Sequence, residues 1–193
     1  MLRSSQNILA VAPRESARFR VVHEMGCIYL YHGTGGGKTT SALGLALRSV
    51  GQGNKVIIVQ FMKGRRDIGE FMVSSRLSPD YEIHQFGREG WIDLECPSEE
   101  DRRRAQEGLA FAKKALNSKP NLLILDEIGL AAYVNLIRTS DVLELLNNIP
   151  DETDIVITGR WVPGEFVERA DFVNEITDVK HPSEILTRKG IHY

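Results

Sequence analysis

The strongest chemical signal in the sequence is a glycine-rich segment, GTGGGKTT, at residues 33–40. It follows the apolar run Ile28–His32 and precedes the helical pattern SALGLALRSV. This order of strand, glycine loop and helix is typical of a P-loop, in which backbone N–H groups and a helix N-terminus surround a phosphate. The nucleotide-binding residues that the pattern predicts are Gly33, Thr34, Gly35, Gly36, Gly37, Lys38, Thr39 and Thr40.

Two side chains of this segment have expected roles beyond shaping the loop. Lys38 would place a positive charge against the phosphate oxygens, and the Thr39 hydroxyl is the natural ligand for the Mg²⁺ that accompanies a nucleotide. The standard spacing puts the first glycine at position 32, where this chain has His32, so Gly33 would take over that turn. A flexible turn with a solvated lysine is the alternative interpretation.

A second motif favours nucleotide binding. The apolar run at residues 121–125 leads directly into Asp126 and Glu127, as a Walker B strand does. Two carboxylates at the C-terminal edge of a buried strand would lie beside the P-loop and, together with Thr39, hold Mg²⁺. Alternatively, the two acids cap a helix that follows a core strand.

The elements that must position these residues are short apolar runs that alternate with helical patterns. Strands buried on both faces have continuous apolar runs, so this alternation predicts an α/β fold with a mostly parallel central sheet and helices on both faces. The predicted strands are 27–32, 56–61, 81–86, 122–125, 155–157 and 172–176, and the predicted helices are the segment from the loop to about residue 50, 98–116, 139–147 and 163–169.

The charge balance limits the kinds of partner. The chain has 193 residues, enough for about one domain, and 24 Lys and Arg against 26 Asp and Glu give a formal charge of −2. Nucleic-acid binders and polybasic membrane modules usually carry a marked positive excess, so neither partner is expected. The longest run without a charged residue, 25–37, has thirteen residues, short of the ~20 that cross a bilayer, and a cytoplasmic protein is predicted.

Residues 1–24 differ in character from the rest of the chain. They hold four arginines and two glutamates, a charge of +2, without clear periodicity. We expect an N-terminal arm that is either disordered or forms a lid, followed by one P-loop domain at residues 25–193 with a charge of −4. An acidic domain that binds a polyphosphate must place its cations locally.

Five segments taken together resemble one family, the P-loop ATP:corrinoid adenosyltransferases. They are YLYHGTGGGKTT at 29–40, VIIVQFMKG at 56–64, LLILDEI at 122–128, DIVITGR at 154–160 and VKHP at 179–182, and the chain ends in GIHY. The resemblance runs from about residue 26 to residue 193. It implies a RecA-like P-loop NTPase fold and transfer of the 5′-deoxyadenosyl group of ATP to the cobalt of a reduced Co(I) corrinoid, with release of tripolyphosphate, in adenosylcobalamin synthesis or salvage.

The resemblance implies that the substrates supply the reactive groups, because Co(I) is a strong nucleophile and ATP carries a good leaving group. No acid or base residue is then expected. Lys38 and Glu127 would act electrostatically, with Mg²⁺ on Thr39 and Glu127 and with Asp126 nearby. The implied partners are ATP, a reduced corrinoid, an electron-donating reductase and a second copy of this chain, whose N-terminal arm folds over the neighbouring corrinoid site.

Three further positions match the family's pattern. Arg48, in the helix after the loop, corresponds to a family arginine near the nucleotide, although a solvated cation at a helix end is an equal alternative. Arg160, at the end of the DIVITGR segment, is placed to contact the nucleotide or its phosphates. Trp91, in FGREGWID, corresponds to a family aromatic that packs on the corrin face.

The loop departs from the family's usual GNGKGKTT at Thr34 and Gly36, where the lysine between the glycines is absent. This loss would weaken ATP binding unless another cation, Arg48, Lys63 or Arg160, supplies the charge. The departure leaves two other functions open. One is a P-loop NTPase or kinase of different specificity, and the other is a non-catalytic chaperone that binds a corrinoid or a nucleotide.

Overall fold

The central sheet is fully parallel and has the strand order β3-β2-β4-β5-β1-β6. The computed structural model describes residues 26–184 and 187–192, so the predicted arm at residues 1–24 lies outside the described residues. The strands are β1 Ile28–His32, β2 Val56–Phe61, β3 Tyr81–Phe86, β4 Leu122–Asp126, β5 Asp154–Gly159 and β6 Phe172–Glu175. All six predicted strands are confirmed.

The helices cover both faces of this sheet. They are α1 Lys38–Val50, α2 Gly69–Met72, α3 Ser74–Leu77, α4 Glu99–Leu116, α5 Ile128–Tyr133, α6 Thr139–Leu146 and α7 Gly164–Arg169. The predicted α1, α4, α6 and α7 are confirmed. The sequence did not predict α2, α3 or α5, because α2 and α3 have only four residues and no buried one. In α5 nearly all six residues are apolar, so the sequence shows no helical periodicity there.

The core has two layers that sandwich the sheet. On one face, Ala42 and Ala46 of α1 pack with Ile58, Ile124 and Val156. The opposite face carries the larger cluster, which unites α4, α5 and α6 with the alternate residues of the same strands. The central strands β2 and β4 are buried at every position, which is why their sequences show continuous apolar runs. The predicted α/β class of RecA-like P-loop type is confirmed.

The strand register brings the predicted site residues to one edge of the sheet. His32, the last residue of β1, lies opposite Gly159 of β5. Asp126, the last residue of β4, lies opposite Gln60 of β2. Because all strands are parallel, the segments that follow β1, β2, β4 and β5 leave the same carboxyl-terminal edge, where open α/β sheets bind ligands.

Within the residues described here, we find no helix that combines the length and the apolar character needed to cross a lipid bilayer.

Candidate active site

The glycine loop turns sharply between β1 and α1. Gly33 and Gly37 have φ values of 111° and 105°, a left-handed conformation that favours glycine. A Cβ atom at Gly33 would lie 2.4 Å from the carbonyl oxygen of Ile176, and one at Gly35 would lie 2.7 Å from the carbonyl carbon of Thr177. Glycine is therefore required at positions 33 and 35 by the segment after β6, whereas a Cβ at Gly36 would meet open space.

Lys38 lies at the N-terminus of α1 with its side chain turned back over the loop. The residue is only 8% exposed, and its Nζ donates a hydrogen bond of 2.6 Å to the carbonyl oxygen of Gly35. Burial lowers the pKa of Lys38, the Glu127 carboxylate opposes that shift, and the positive charge of Arg160 adds to it. Among the described residues no side chain caps α1, so its first N–H groups and Lys38 form one positive surface.

The segment after β6 closes over this loop from one side. The Gly35 N–H donates to the carbonyl oxygen of Ile176 at 2.9 Å, and the Gly36 N–H donates to Oδ1 of Asp178 at 3.1 Å. An amide that the loop pattern assigns to a phosphate is thus bonded to a carboxylate. Asp178 was not among the predicted site residues, although it directly precedes the VKHP motif.

Replacing Asp178 with asparagine is expected to tighten the binding of ATP by about 3- to 10-fold, because the change removes an exposed negative charge from the loop that receives the phosphates. Titration calorimetry on the full chain measures this directly. Glu168→Gln makes the same charge change on α7 and should leave the affinity unchanged. Equal or weaker ATP binding by Asp178→Asn would show that the carboxylate does not oppose the nucleotide.

Asp126 is the centre of a buried hydrogen-bond network. Its Oδ1 accepts hydrogen bonds from the Thr39 and Thr158 hydroxyls, both at 2.8 Å. Its Oδ2 accepts one from Gln60 at 3.1 Å and one from the Lys63 ammonium at 2.6 Å. Asp126 is 1% exposed, so these donors replace the water that a buried carboxylate loses. The network fixes the end of β4 to α1, β2 and β5.

Lys63 and Asp126 stabilise each other's charged forms. Burial alone would raise the pKa of Asp126, but the Lys63 charge and the hydrogen bonds outweigh it and lower that pKa. Burial would likewise lower the pKa of Lys63, yet the carboxylates of Asp126 and Glu127 raise it. The Lys63 ammonium also donates to Oγ1 of Thr39 at 3.1 Å, which places a positive charge at the start of α1.

Glu127, the residue after Asp126, has an unusual backbone conformation. Its φ is +64°, and its N–H donates to the Thr158 hydroxyl at 2.8 Å. Its Oε2 is buried and has no hydrogen-bond partner among the described residues. Burial and then the negative charge of Asp126 raise the pKa of Glu127, against the lowering effects of Lys63, Lys38 and Arg160. An unpaired buried carboxylate oxygen of this kind is suited to a cation.

A groove opens next to the loop. It has a volume of about 750 Å³, and its lining combines Thr39 and Lys63 with the apolar Met62 and Ile68. Trp91 stands at its rim and is 99% exposed. The carboxyl-terminal segment 190–192 also lines it. The groove thus joins a polar end beside the phosphate loop to an apolar flank large enough for a second ligand.

The predicted site residues fall into three places. The loop, Asp126, Glu127 and Arg160 lie together at the sheet edge, and Trp91 lines the groove to which Thr39 and Thr40 also contribute. Arg48 lies ten residues beyond Lys38, about 15 Å along α1, at the opposite end of the helix. The structure therefore does not bring Arg48 to the loop. Its charge instead lowers the pKa of Tyr31, which burial raises by a larger amount.

Two further residues of the network were not predicted, Gln60 and Thr158. Each is a fully buried polar residue near the carboxyl end of a mostly apolar strand. A polar side chain in such a position needs a partner, and the partner here is Asp126 in both cases. That pattern was visible in VIIVQF and DIVITG and could have placed both residues at the site.

A P-loop after β1 and paired acids at the end of β4, which β5 separates from β1 in the parallel sheet, define a P-loop nucleotide-binding protein. The family described as "ATP:corrinoid adenosyltransferase BtuR/CobO/CobP" matches residues 24–193, so this chain belongs to the ATP:corrinoid adenosyltransferase family, which is a transferase family of corrinoid biosynthesis. The resemblance found in the sequence is confirmed.

Several relatives carry the same description. The corrinoid adenosyltransferase of Escherichia coli (strain K12) is 34% identical over 173 residues, covering 88% of this chain and 87% of the relative. That of Pseudomonas aeruginosa is 31% identical over 173 residues, with coverages of 88% and 85%. The corrinoid adenosyltransferase of Salmonella typhimurium (strain LT2) is 30% identical over 196 residues, with coverages of 99% and 98%. The similarity therefore spans whole chains.

Proposed function

We propose that this chain transfers the 5′-deoxyadenosyl group of ATP to the cobalt of a Co(I) corrinoid and releases tripolyphosphate. The observation that carries this proposal is the continuity between the phosphate loop and the groove. Thr39 and Thr40 belong to the loop and also line the groove of about 750 Å³ that Trp91 borders. A nucleotide held by the loop would therefore share one cavity with a large, partly apolar second substrate.

The reaction needs little from the protein beyond position and charge. The electron pair of Co(I) attacks C5′ of ATP and becomes the cobalt–carbon bond, the bond between C5′ and its oxygen breaks, and tripolyphosphate leaves with the electron pair of that broken bond. Cobalt becomes formally Co(III), and no proton is transferred. The site accordingly has no need of a general base, and its charged groups serve to hold the triphosphate and stabilise the charge that develops on it.

The residues that would hold the triphosphate are those with positive potential at the sheet edge. Lys38 and the N–H groups at the start of α1 face the loop, and Arg160 lies close enough to influence both Lys38 and Glu127. The Lys63 ammonium beside Thr39 is the structural candidate for the charge that Gly36 does not supply. Lys63 is preferred to Arg48 for this role because Arg48 lies at the other end of α1 from Lys38.

Magnesium fits the groups beside the loop. No group of three or more His, Cys, Asp or Glu is arranged to hold a metal within residues 26–184 and 187–192. A single hydroxyl, Thr39, and the unpaired Oε2 of Glu127 instead match a Mg²⁺ ion that completes its shell with phosphate oxygens and water. When bound, Mg²⁺ would neutralise charge on the leaving tripolyphosphate. Asp126 would not bind the ion directly and would instead orient the Thr39 hydroxyl, from which it accepts a hydrogen bond.

Replacing Trp91 with alanine is expected to weaken corrinoid binding by about 10-fold or more while ATP affinity stays unchanged. A fully exposed indole gains apolar contact only when a ligand covers it. Equilibrium binding of a Co(II) corrinoid, followed optically, gives the first value and calorimetry with ATP gives the second. Leu94→Ala, in the same loop but outside the groove lining, is the control. Unchanged corrinoid binding by Trp91→Ala would show that Trp91 does not contribute to corrinoid binding.

We also propose an electron-donating reductase as the source of Co(I), a homodimer and a cytoplasmic location, all supported by the family resemblance. The same resemblance supports an N-terminal arm that folds over the corrinoid site of the neighbouring subunit. Deleting residues 1–24 should therefore weaken corrinoid affinity more than ATP affinity.

The proposed function is tested by anaerobic incubation of the full chain with MgATP and a chemically reduced corrinoid, followed by optical spectroscopy. Formation of the adenosylated corrinoid supports the proposal, and complete and incomplete corrinoids compared side by side give the preferred substrate class. Tight corrinoid binding without adenosylation would instead indicate a chaperone. Nucleotide turnover that does not depend on the corrinoid would indicate another P-loop NTPase or kinase.

A further inference from the structure

Two exposed aromatic side chains lie side by side next to the phosphate loop. The rings of Tyr133, the last residue of α5, and Trp161, just beyond β5, have centroids 5.9 Å apart and planes tilted by 35°. Tyr133 is 53% exposed and Trp161 is 42% exposed. The buried residues of α5, including Ile128 and Ala131, already pack into the core. The aromatic pair is therefore not needed to fill the interior.

The backbone ties this pair directly to the loop. The N–H of Gly33, the first loop residue, donates to the carbonyl oxygen of Arg160 at 3.3 Å, and Trp161 is the next residue in the chain. The Arg160 guanidinium lies 5.7 Å from the centre of the Trp161 ring, within cation–π range. Its charge also influences Lys38 and Glu127. One arginine thus connects the aromatic pair with the phosphate-binding groups.

We propose that Trp161 and Tyr133 form the surface on which the nucleobase of the bound triphosphate stacks, with Arg160 between base and phosphates. This inference rests on the proposed use of ATP. Stacking requires only a π face, so the surface would accept a purine without reading its hydrogen-bonding edge. A nucleotide would then be held at two points, by its phosphates at the loop and by its base on the indole.

The contributions of the phosphates and of the nucleobase to binding can be separated with inorganic tripolyphosphate, which has the same phosphate chain but no nucleobase. Calorimetry with Mg²⁺ present compares ATP and tripolyphosphate on the full chain. Trp161→Ala and Tyr133→Ala are each expected to weaken ATP binding, Trp161→Ala by about 10- to 100-fold, and to leave tripolyphosphate binding unchanged. Phe172→Ala removes another exposed aromatic ring, stacked on Tyr29, and should change neither affinity.

A second measurement keeps both aromatic residues in place. The chain has two tryptophans, so Trp91→Phe leaves Trp161 as the single indole reporter. ATP and GTP should both quench its fluorescence, whereas tripolyphosphate should leave it nearly unchanged. Equal responses to ATP and tripolyphosphate, or equal losses of both affinities in Trp161→Ala, would overturn the inference. Unchanged ATP affinity together with an altered oligomeric state would assign the pair to a contact between subunits.

These outcomes are independent of the proposed transfer reaction. If binding depends on the nucleobase but no adenosylation occurs, the proposed function is contradicted and the stacking surface is supported. If adenosylation occurs but binding does not depend on the nucleobase, the proposed function is supported and the stacking surface is contradicted.

Discussion

Replacing Lys38 with alanine is expected to lower kcat/KM for ATP by about 100- to 1,000-fold, the range found when one preorganised charge-stabilising group is removed from an active site. The Lys38 residue is only 8% exposed and lies at the N-terminus of α1, so bulk water cannot replace its stabilisation of phosphate oxygens. Steady-state adenosylation rates at varied ATP, with corrinoid saturating, measure the effect. Tripolyphosphate affinity should fall in parallel.

A second lysine variant separates this effect from a general loss of positive charge. Lys113→Ala removes an exposed ammonium of α4 that pairs with Glu144, and it should leave kcat/KM unchanged. If Lys38→Ala retained more than about a tenth of the wild-type kcat/KM, the phosphate-binding role of Lys38 would be wrong. The family pattern, the loop geometry and the burial of this side chain would then need another explanation.

Replacing Asp126 with alanine is expected to reduce the free energy of unfolding by about 3 kcal/mol, the lower end of the cost of breaking a buried ion pair, because the partner Lys63 is partly exposed. The Lys63 ammonium would lose its 2.6 Å contact, and Gln60 and Thr158 would lose their acceptor. Urea unfolding followed by circular dichroism measures the change. Asp141→Ala, which breaks an exposed pair with Arg138, should cost less than about 1 kcal/mol.

The pH dependence of stability follows from the same pair. The pKa of Asp126 is lower in the folded chain than in the unfolded chain, so its contribution is complete above the usual pKa of aspartate. That contribution is lost as the pH falls through the lower, folded value. Asp126→Ala should therefore flatten the stability curve on the acid side. An acid limb as steep as that of the wild type would show that other carboxylates control it.

A double variant separates the effect of the Asp126–Lys63 ion pair on stability from the effect of Asp126 on the orientation of Thr39. Replacing Asp126 by leucine and Lys63 by methionine together removes both charges, so the unfolding penalty should be smaller than that of Asp126→Ala alone. Adenosylation should nevertheless remain low, because the Thr39 hydroxyl loses the acceptor that orients it. Additive penalties would indicate that the two residues do not act as a pair.

The fold was largely readable from the sequence because the central strands β2, β4 and β5 are buried on both faces. Apolar runs such as 56–61 and 122–125 have few polar interruptions, and the parallel order then follows from the helical segments between them. The short α5 was missed since its residues are nearly all apolar and mostly buried, which removes helical periodicity. Local pattern cannot distinguish such a helix from an extension of the strand.

The sequence predicted the site residues only where they belong to motifs that can be recognised from local spacing. The loop and Asp126 are recognised by spacing, and their meeting through Thr39 follows from the fold. Asp178, 142 residues after Gly36, reaches the loop through the register of β6 with β1, which no local pattern encodes. Arg48 shows the opposite case, because family position suggested contact while the length of α1 separates it from Lys38.

The proposed reaction cleaves ATP between C5′ and its oxygen rather than at the terminal phosphate. Phosphorus NMR of an anaerobic reaction containing the full chain, MgATP and a Co(I) corrinoid distinguishes the two cleavage sites by their products. We expect tripolyphosphate in one-to-one ratio with the adenosylated corrinoid, and no phosphate product when the corrinoid is omitted. ADP and orthophosphate as the main products, or turnover of ATP without a corrinoid, would contradict it.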